Sequence, residues 1–301
     1  MSEFSQRFVV LDAADGTALP FTASGLTQHG TSHSSEGCNN QDAMSLFINK
    51  EAIIGVLCDG CSSGSDIMAL NPWSFAENGA QLLSILVGRH IQELWRGQDF
   101  SELAAEISQY CLADLKSLLN LLAGNRPDLR EHLLQQIFMA TILAVLITPE
   151  KYCVFHCGDG LVAINGKFTE LNSTASGQYL ANTLSCEATQ DMPLLEVFQE
   201  GACGDLDNVL LASDGMSDLV RSGSGLLENM LGNLDTRTKG YTPGADKFTF
   251  LREFRKRVAV PFEPLSPKAY DDRSLLMIRR LPGCTRQPAA DADNSAHGAV
   301  L

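Results

Sequence analysis

The residues of this chain best suited to chemistry are aspartates at the ends of apolar runs. Asp59-Gly60 closes one run, Gly158-Asp159-Gly160 another and Asp214-Gly215 a third. Asp271-Asp272 opens the last run, and Asn40-Gln41-Asp42 opens an early one. Any single Asp-Gly is the ordinary way to turn at the end of a strand. Five such positions are harder to explain as turns alone. If the strands pack side by side, the carboxylates meet in one cleft, where cations must relieve their mutual repulsion. Hard oxygen ligands select Mg²⁺ or Mn²⁺ over zinc. The chemistry expected of such a cluster is metal-assisted hydrolysis of phosphate esters.

The elements that must position these aspartates are legible in the apolar pattern. Phe8 to Leu11, Phe21 to Gln28, Ala43 to Phe47 and Ala52 to Cys58 read as strands. The last of these is continuously apolar and so is expected to be buried on both faces. From about Ser74 to Arg96 and Ser101 to Leu122, apolar residues recur at helical spacing. Leu82, Leu83, Leu86, Val87, Ile91 and Leu94 form the first stripe; Leu103, Ile107, Cys111, Leu115, Leu118 and Leu122 form the second. Joined by Gly97-Gln98-Asp99, these make a helical hairpin able to cover a sheet.

Two β-hairpins follow. Phe138 to Thr148 and Tyr152 to Cys157 flank a turn at Thr148-Pro149-Glu150-Lys151. Leu161 to Ile164 and Lys167 to Leu171 flank Asn165-Gly166, a pair that favours the positive φ of a type I′ turn. Strands are also expected at Asn208 to Ala212 and Ser274 to Arg280, with helices near Ser217 to Leu231 and Thr249 to Val258. Strand blocks interrupted by a helix pair predict an α+β fold with antiparallel sheets. Residues 1–282 are expected to form a single domain, and residues 283–301 a disordered tail.

Composition narrows the function. The formal charge is 22 − 36 = −14, which opposes binding to nucleic acid and to anionic membranes. It does not oppose a phosphorylated substrate if metal ions reverse the sign locally. No apolar run approaches the ~18 to 20 residues needed to span a bilayer, and no secretory signal opens the chain, so a cytoplasmic protein is expected. No P-loop or GxGxxG follows a strand, which disfavours a nucleotide substrate. The nine cysteines, odd in number and irregularly spaced, fit reduced thiols. Cys58 with Cys61, and Cys153 and Cys157 with His156, are weighed as zinc ligands and read instead as small strand residues.

The motifs then fall into a familiar order. Gly25 to Asp42, Val56-Leu57-Cys58-Asp59-Gly60, Ala140-Thr141 with Gly158-Asp159-Gly160, Leu211 to Asp218, and Asp271-Asp272-Arg273-Ser274-Leu275 resemble, in sequence, those of the PP2C-type metal-dependent protein phosphatases. The likeness is to the divergent bacterial branch with Gln-Asp in place of Glu-Asp, and it runs over about residues 22 to 280. It implies a four-layer α-β-β-α sandwich of two antiparallel sheets, with two Mg²⁺ or Mn²⁺ ions at one end. Asp59 would bridge both ions and the Gly60 carbonyl would bind one. Asp214 and Asp271 would ligate the other, and Asp42 would hold a water of the metal shell. Asp159, Asp214 and Asp218 match positions for a third ion.

The function so implied is hydrolysis of phosphoserine and phosphothreonine in proteins by an activated water, without a covalent intermediate. The setting would be bacterial signalling opposite a cognate Ser/Thr kinase, with the phosphatase a monomer. Three departures from the family's pattern stand out: Gln41 replaces an acidic residue, Cys61 replaces a histidine, and no arginine stands at the phosphate-binding place just upstream of Asp42. His33 is the residue expected to take over acid–base or phosphate-binding work, and Arg273 is a second residue within reach of phosphate. The same departures keep open a second reading, a weakly active or inactive regulatory module that binds phosphoproteins.

Overall fold

In a computed structural model, the described residues are 7–11, 19–30, 33, 39–61, 75–171, 179–185, 195–217 and 271–281. The helices expected near 217–231 and 249–258, the tail and Asp218 lie outside them, apart from Ser217. Among the described residues, eleven strands build two sheets in which every pairing is antiparallel. They are β1 (Arg7–Leu11), β2 (Phe21–Gln28), β3 (Asp42–Ile48), β4 (Ile53–Gly60), β5 (Ala140–Ile147), β6 (Lys151–Cys157), β7 (Gly160–Ile164), β8 (Lys167–Leu171), β9 (Glu196–Ala202), β10 (Asn208–Ala212) and β11 (Arg273–Arg280). One sheet has the order β1-β2-β11-β10-β7-β8 and the other β3-β4-β5-β6-β9. The fold is thus an α+β sandwich, as expected.

Period-two alternation sorts the side chains between two cores. Ile53 and Leu57 of β4 and Leu143, Val145 and Ile147 of β5 face the other sheet, where Phe21, Val162, Val209, Leu211, Leu276 and Ile278 meet them. Ile54, Val56 and Cys58, with Ile142, Ala144 and Leu146, face the helices instead. Burial on both faces explains why β4 and β5 are continuously apolar.

Three helices are described: α1 (Ala76–Leu94), α2 (Phe100–Ala123) and α3 (Pro127–Ile137). Leu83, Val87, Ile91 and Leu94 of α1 are buried against the sheet, each contributing about 2 kcal/mol relative to exposure. The α2 stripe runs Leu103, Ile107, Cys111, Leu115, Leu119 and Ala123, a strict four-residue step. Leu118 is therefore only partly buried and Leu122 is exposed, which corrects the stripe expected from sequence at its C-terminal end. The helices are joined as expected, with Gly97 at φ 87° and the Asp99 side chain accepting from the Ser101 N–H at 2.8 Å. Gly79 passes so close to the Ile137 carbonyl that a side chain there would collide with it, which sets α1 against the end of α3.

Two elements, α3 and β9, are not announced by the apolar pattern. Only Leu134 and Gln136 of α3 are buried, so its stripe is thin. Strand β9 is an edge strand paired to β6 across a register shift at Val154/Phe155. Among the described residues no helix is long and apolar enough to cross a membrane.

Candidate metal centre

The site forms where strand ends of both sheets meet. Asp42 opens β3 directly opposite Asp59 at the end of β4, and Asp59 in turn faces Thr141 of β5. From the other sheet, Asp214 follows β10 and Asp271 precedes β11. Asp159 sits in the turn before β7, held between Gly158 at φ 95° and Gly160 at φ 134°. Those backbone values suit glycine, and they allow the tight reversal that points the turn toward the other strand ends.

An open cleft of about 170 Å³ results, lined by His33, Gln41, Asp59, Gly60, Cys61, Thr141, Asp159, Tyr179, Asp214 and Asp271. Six residues expected as ligands or catalytic groups, His33, Asp59, Gly60, Asp159, Asp214 and Asp271, therefore line one cleft, together with the two departures Gln41 and Cys61. Asp42, beside Asp59 on the neighbouring strand, is buried and is not among the lining residues. Arg273, expected within reach of phosphate, is also buried and is not among the residues that line the cleft. Among the described residues Cys58, Cys61, Cys153 and Cys157 form no disulfide, and Cys58, Cys153 and Cys157 are buried in the helix-facing core.

Crowded carboxylates leave an electrostatic signature. Burial raises the pKa of Asp59 well above the usual range, and Asp42, Asp214 and Asp271 raise it further. Asp214 is raised by desolvation, then by Asp271 and Asp159, and its carboxyl lies within hydrogen-bond reach of Asp59. Asp159 is raised by desolvation. Asp42 is pushed up to about 7, first by burial and then by Asp272, while the Ser213 hydroxyl pulls it back. A bound cation would reverse these shifts, since it favours the ionised carboxylates that repulsion now disfavours.

A hydrogen-bonded brace stands behind this cluster. Asp272, nearly fully buried, accepts from the Gly30 N–H at 2.6 Å and the Gln41 N–H at 2.6 Å. His33 Nδ1 lies 2.9 Å from the same carboxylate and 3.9 Å from Asp271 Oδ1. His33, Asp271 and Asp272 are close enough to share an ion, yet both Asp272 oxygens already accept hydrogen bonds. Ser213 Oγ donates to Asp42 Oδ2 at 2.8 Å and accepts from the Ser274 N–H at 2.9 Å. Asp42 Oδ1 is buried without a partner. The roles of Asp272 and Ser213 were missed from sequence, although both fall inside the motifs quoted for the resemblance. Tyr179 comes from a polar stretch with no readable signal.

A sequence model described as protein phosphatase 2C matches residues 29–246, well over half of the 301-residue chain. The chain belongs to the protein phosphatase 2C family. Among solved structures, this family member is similar to the serine/threonine phosphatase Stp1 from Staphylococcus aureus, at 15% identity and a TM-score of 0.44, covering 91% of this chain and 98% of that one. It is similar also to the Mycobacterium tuberculosis serine/threonine phosphatase PstP/Ppp, at 17% identity and 0.44, covering 87% and 99%. A third likeness is to RsbX in complex with magnesium, at 11% identity and 0.45, covering 91% and 99%. Likenesses this distant assign no residue a role. A search of curated protein sequences returned no match.

Proposed function

We propose that this phosphatase-family chain hydrolyses phosphoserine and phosphothreonine esters in proteins, dependent on Mg²⁺ or Mn²⁺. The observation that carries the reading is the convergence of Asp59, Asp214 and Asp271 in one cleft, with the unpartnered Asp42 Oδ1 buried on the strand beside Asp59. The donor set fits hard divalent cations, because it is all oxygen and burial and repulsion make Asp59 and Asp214 resist ionisation without a counter-charge. Asp59, Asp214, Asp271 and the Gly60 carbonyl would hold two ions, and Asp159 and Asp214 with Asp218 a third. When bound, these ions supply a water of lowered pKa and a positive field for the phosphoryl oxygens.

The chain's own residues do the rest. Asp42, fixed by Ser213, offers its unpartnered oxygen as an acceptor that orients the attacking water. His33, tied through Nδ1 to Asp272, donates a proton to the serine or threonine oxygen as its bond to phosphorus breaks. The substrate would be a phosphorylated protein in the cytoplasm, the product of a Ser/Thr kinase.

The test is hydrolysis of p-nitrophenyl phosphate and of a phosphothreonine peptide with Mn²⁺, and its loss in Asp59→Ala and Asp214→Ala. No turnover of either substrate with Mn²⁺ or Mg²⁺ would count against it. One observation favours the second reading, a phosphoprotein-binding module of low turnover: no Arg or Lys lines the cleft among the described residues. Tight phosphopeptide binding without hydrolysis would support that reading instead.

A further inference from the structure

The cleft has a puzzle of charge. Asp59, Asp159, Asp214 and Asp271 line it, and no Arg or Lys among the described residues joins them to meet a phosphoryl dianion. Gln41 borders the same cleft from a backbone fixed on both sides. Its N–H donates to Asp272 Oδ2 at 2.6 Å, and its carbonyl accepts from the Gly60 N–H at 3.2 Å. The side chain is buried, at 2% exposure, and its Nε2 has no hydrogen-bond partner. Buried amide donors are nearly always satisfied, because an unmade hydrogen bond forfeits the hydration the group has lost. An acceptor that enters the cleft would satisfy it.

We infer that Gln41 is a phosphate-binding residue whose Nε2 donates to a non-bridging phosphoryl oxygen. The inference rests on the phosphatase reading above, and it turns Gln41 from a weakened substitute for a carboxylate into a donor. A neutral carboxamide gives an N–H where a glutamate would present only acceptors and a negative charge. It does so without a cation that would compete with bound metal for the surrounding aspartates. Recognition of phosphate would then be shared between the metals and one fixed amide, in place of an arginine fork.

The experiment compares wild type with Gln41→Glu and Gln41→Met, two near-isosteric changes, with folding checked by circular dichroism. Calorimetry measures inorganic phosphate binding to the Mn²⁺-loaded proteins, and separately Mn²⁺ binding in the absence of phosphate. Steady-state kinetics on p-nitrophenyl phosphate gives KM and kcat. The expected result is that phosphate affinity falls and KM rises about tenfold in both variants, while Mn²⁺ affinity in Gln41→Met stays within about twofold. Phosphate binding equal in wild type and Gln41→Met overturns the inference, as does a wild type that binds no phosphate. So does a Gln41→Glu protein with tighter Mn²⁺ binding and undiminished phosphate affinity, since the side chain would then act through its oxygen. If wild type shows no turnover but binds phosphate in a Gln41-dependent way, the phosphatase reading fails and the assignment of Gln41 stands.

Discussion

Ser213 Oγ donates to Asp42 Oδ2 at 2.8 Å, joining the strand end of one sheet to the strand start of the other. The same oxygen accepts from the Ser274 N–H, so one hydroxyl links β10, β11 and β3 beneath the cleft. Ser213→Ala removes both bonds from a buried place and should cost about 1 to 3 kcal/mol. It should also raise the Asp42 pKa above about 7, because the Ser213 bond is the larger of the two, with Ser274, that hold it down. Urea unfolding reads the first effect, and an upward move of the acid limb of the pH–rate profile reads the second.

Asp272 anchors Gly30, Gln41 and His33, which lie more than 200 residues away in sequence. Asp272→Asn replaces an acceptor-only group by one that must turn N–H toward N–H. A stability loss of about 3 kcal/mol is expected, since hydrogen bonds to charged groups are the stronger ones. Thermal melts measure it. Asp272→Ala should be at least as severe.

The raised carboxylates predict how pH and metal act together. Asp42, with a pKa near 7 in the fold against 3.8 ordinarily, holds its proton more tightly folded than unfolded. Its contribution therefore destabilises the metal-free protein progressively as pH rises from about 4 to about 7. Asp59 and Asp214 shift in the same direction. Mn²⁺ must displace these protons, so its stabilising effect should grow with pH. Melting temperatures at about pH 5 and pH 7.5, with and without Mn²⁺, test the sign. An equal Mn²⁺ shift at both values would contradict it.

Gly215 follows Asp214 at a point where an added Cβ would collide with the Asp272 carbonyl oxygen. Gly215→Ala should push the β10 end from the β11 start, costing about 2 kcal/mol or more. It should also weaken Mn²⁺ binding by separating Asp214 from Asp271. Calorimetry on the folded variant checks the second effect.

Local rules made part of this molecule legible. Strand β2 spans the residues expected, and Asn165 and Gly166 adopt φ of 51° and 79°, as a type I′ turn demands. The aspartates were legible because each ends or begins an apolar run. What stayed hidden depends on distant partners. Nothing near Asp272 says that its carboxylate will hold Gln41, and nothing near Ser213 says that it will face Asp42. Strand β9 and α3 were hidden for another reason: edge position and thin burial leave their sequences little need to be apolar. Gln41 shows both limits, since its identity as a departure was plain and its unpartnered nitrogen was not.

The central claim is that cations sit among Asp59, Asp214 and Asp271. Anomalous scattering from a crystal soaked in Mn²⁺ tests it most directly. The account predicts two ions, with Asp59 oxygens between them and Asp214 and Asp271 on one, at the roughly 2.0 to 2.2 Å usual for small divalent cations on carboxylates. Manganese held only by His33, Asp271 and Asp272, or no manganese in the cleft, would contradict it.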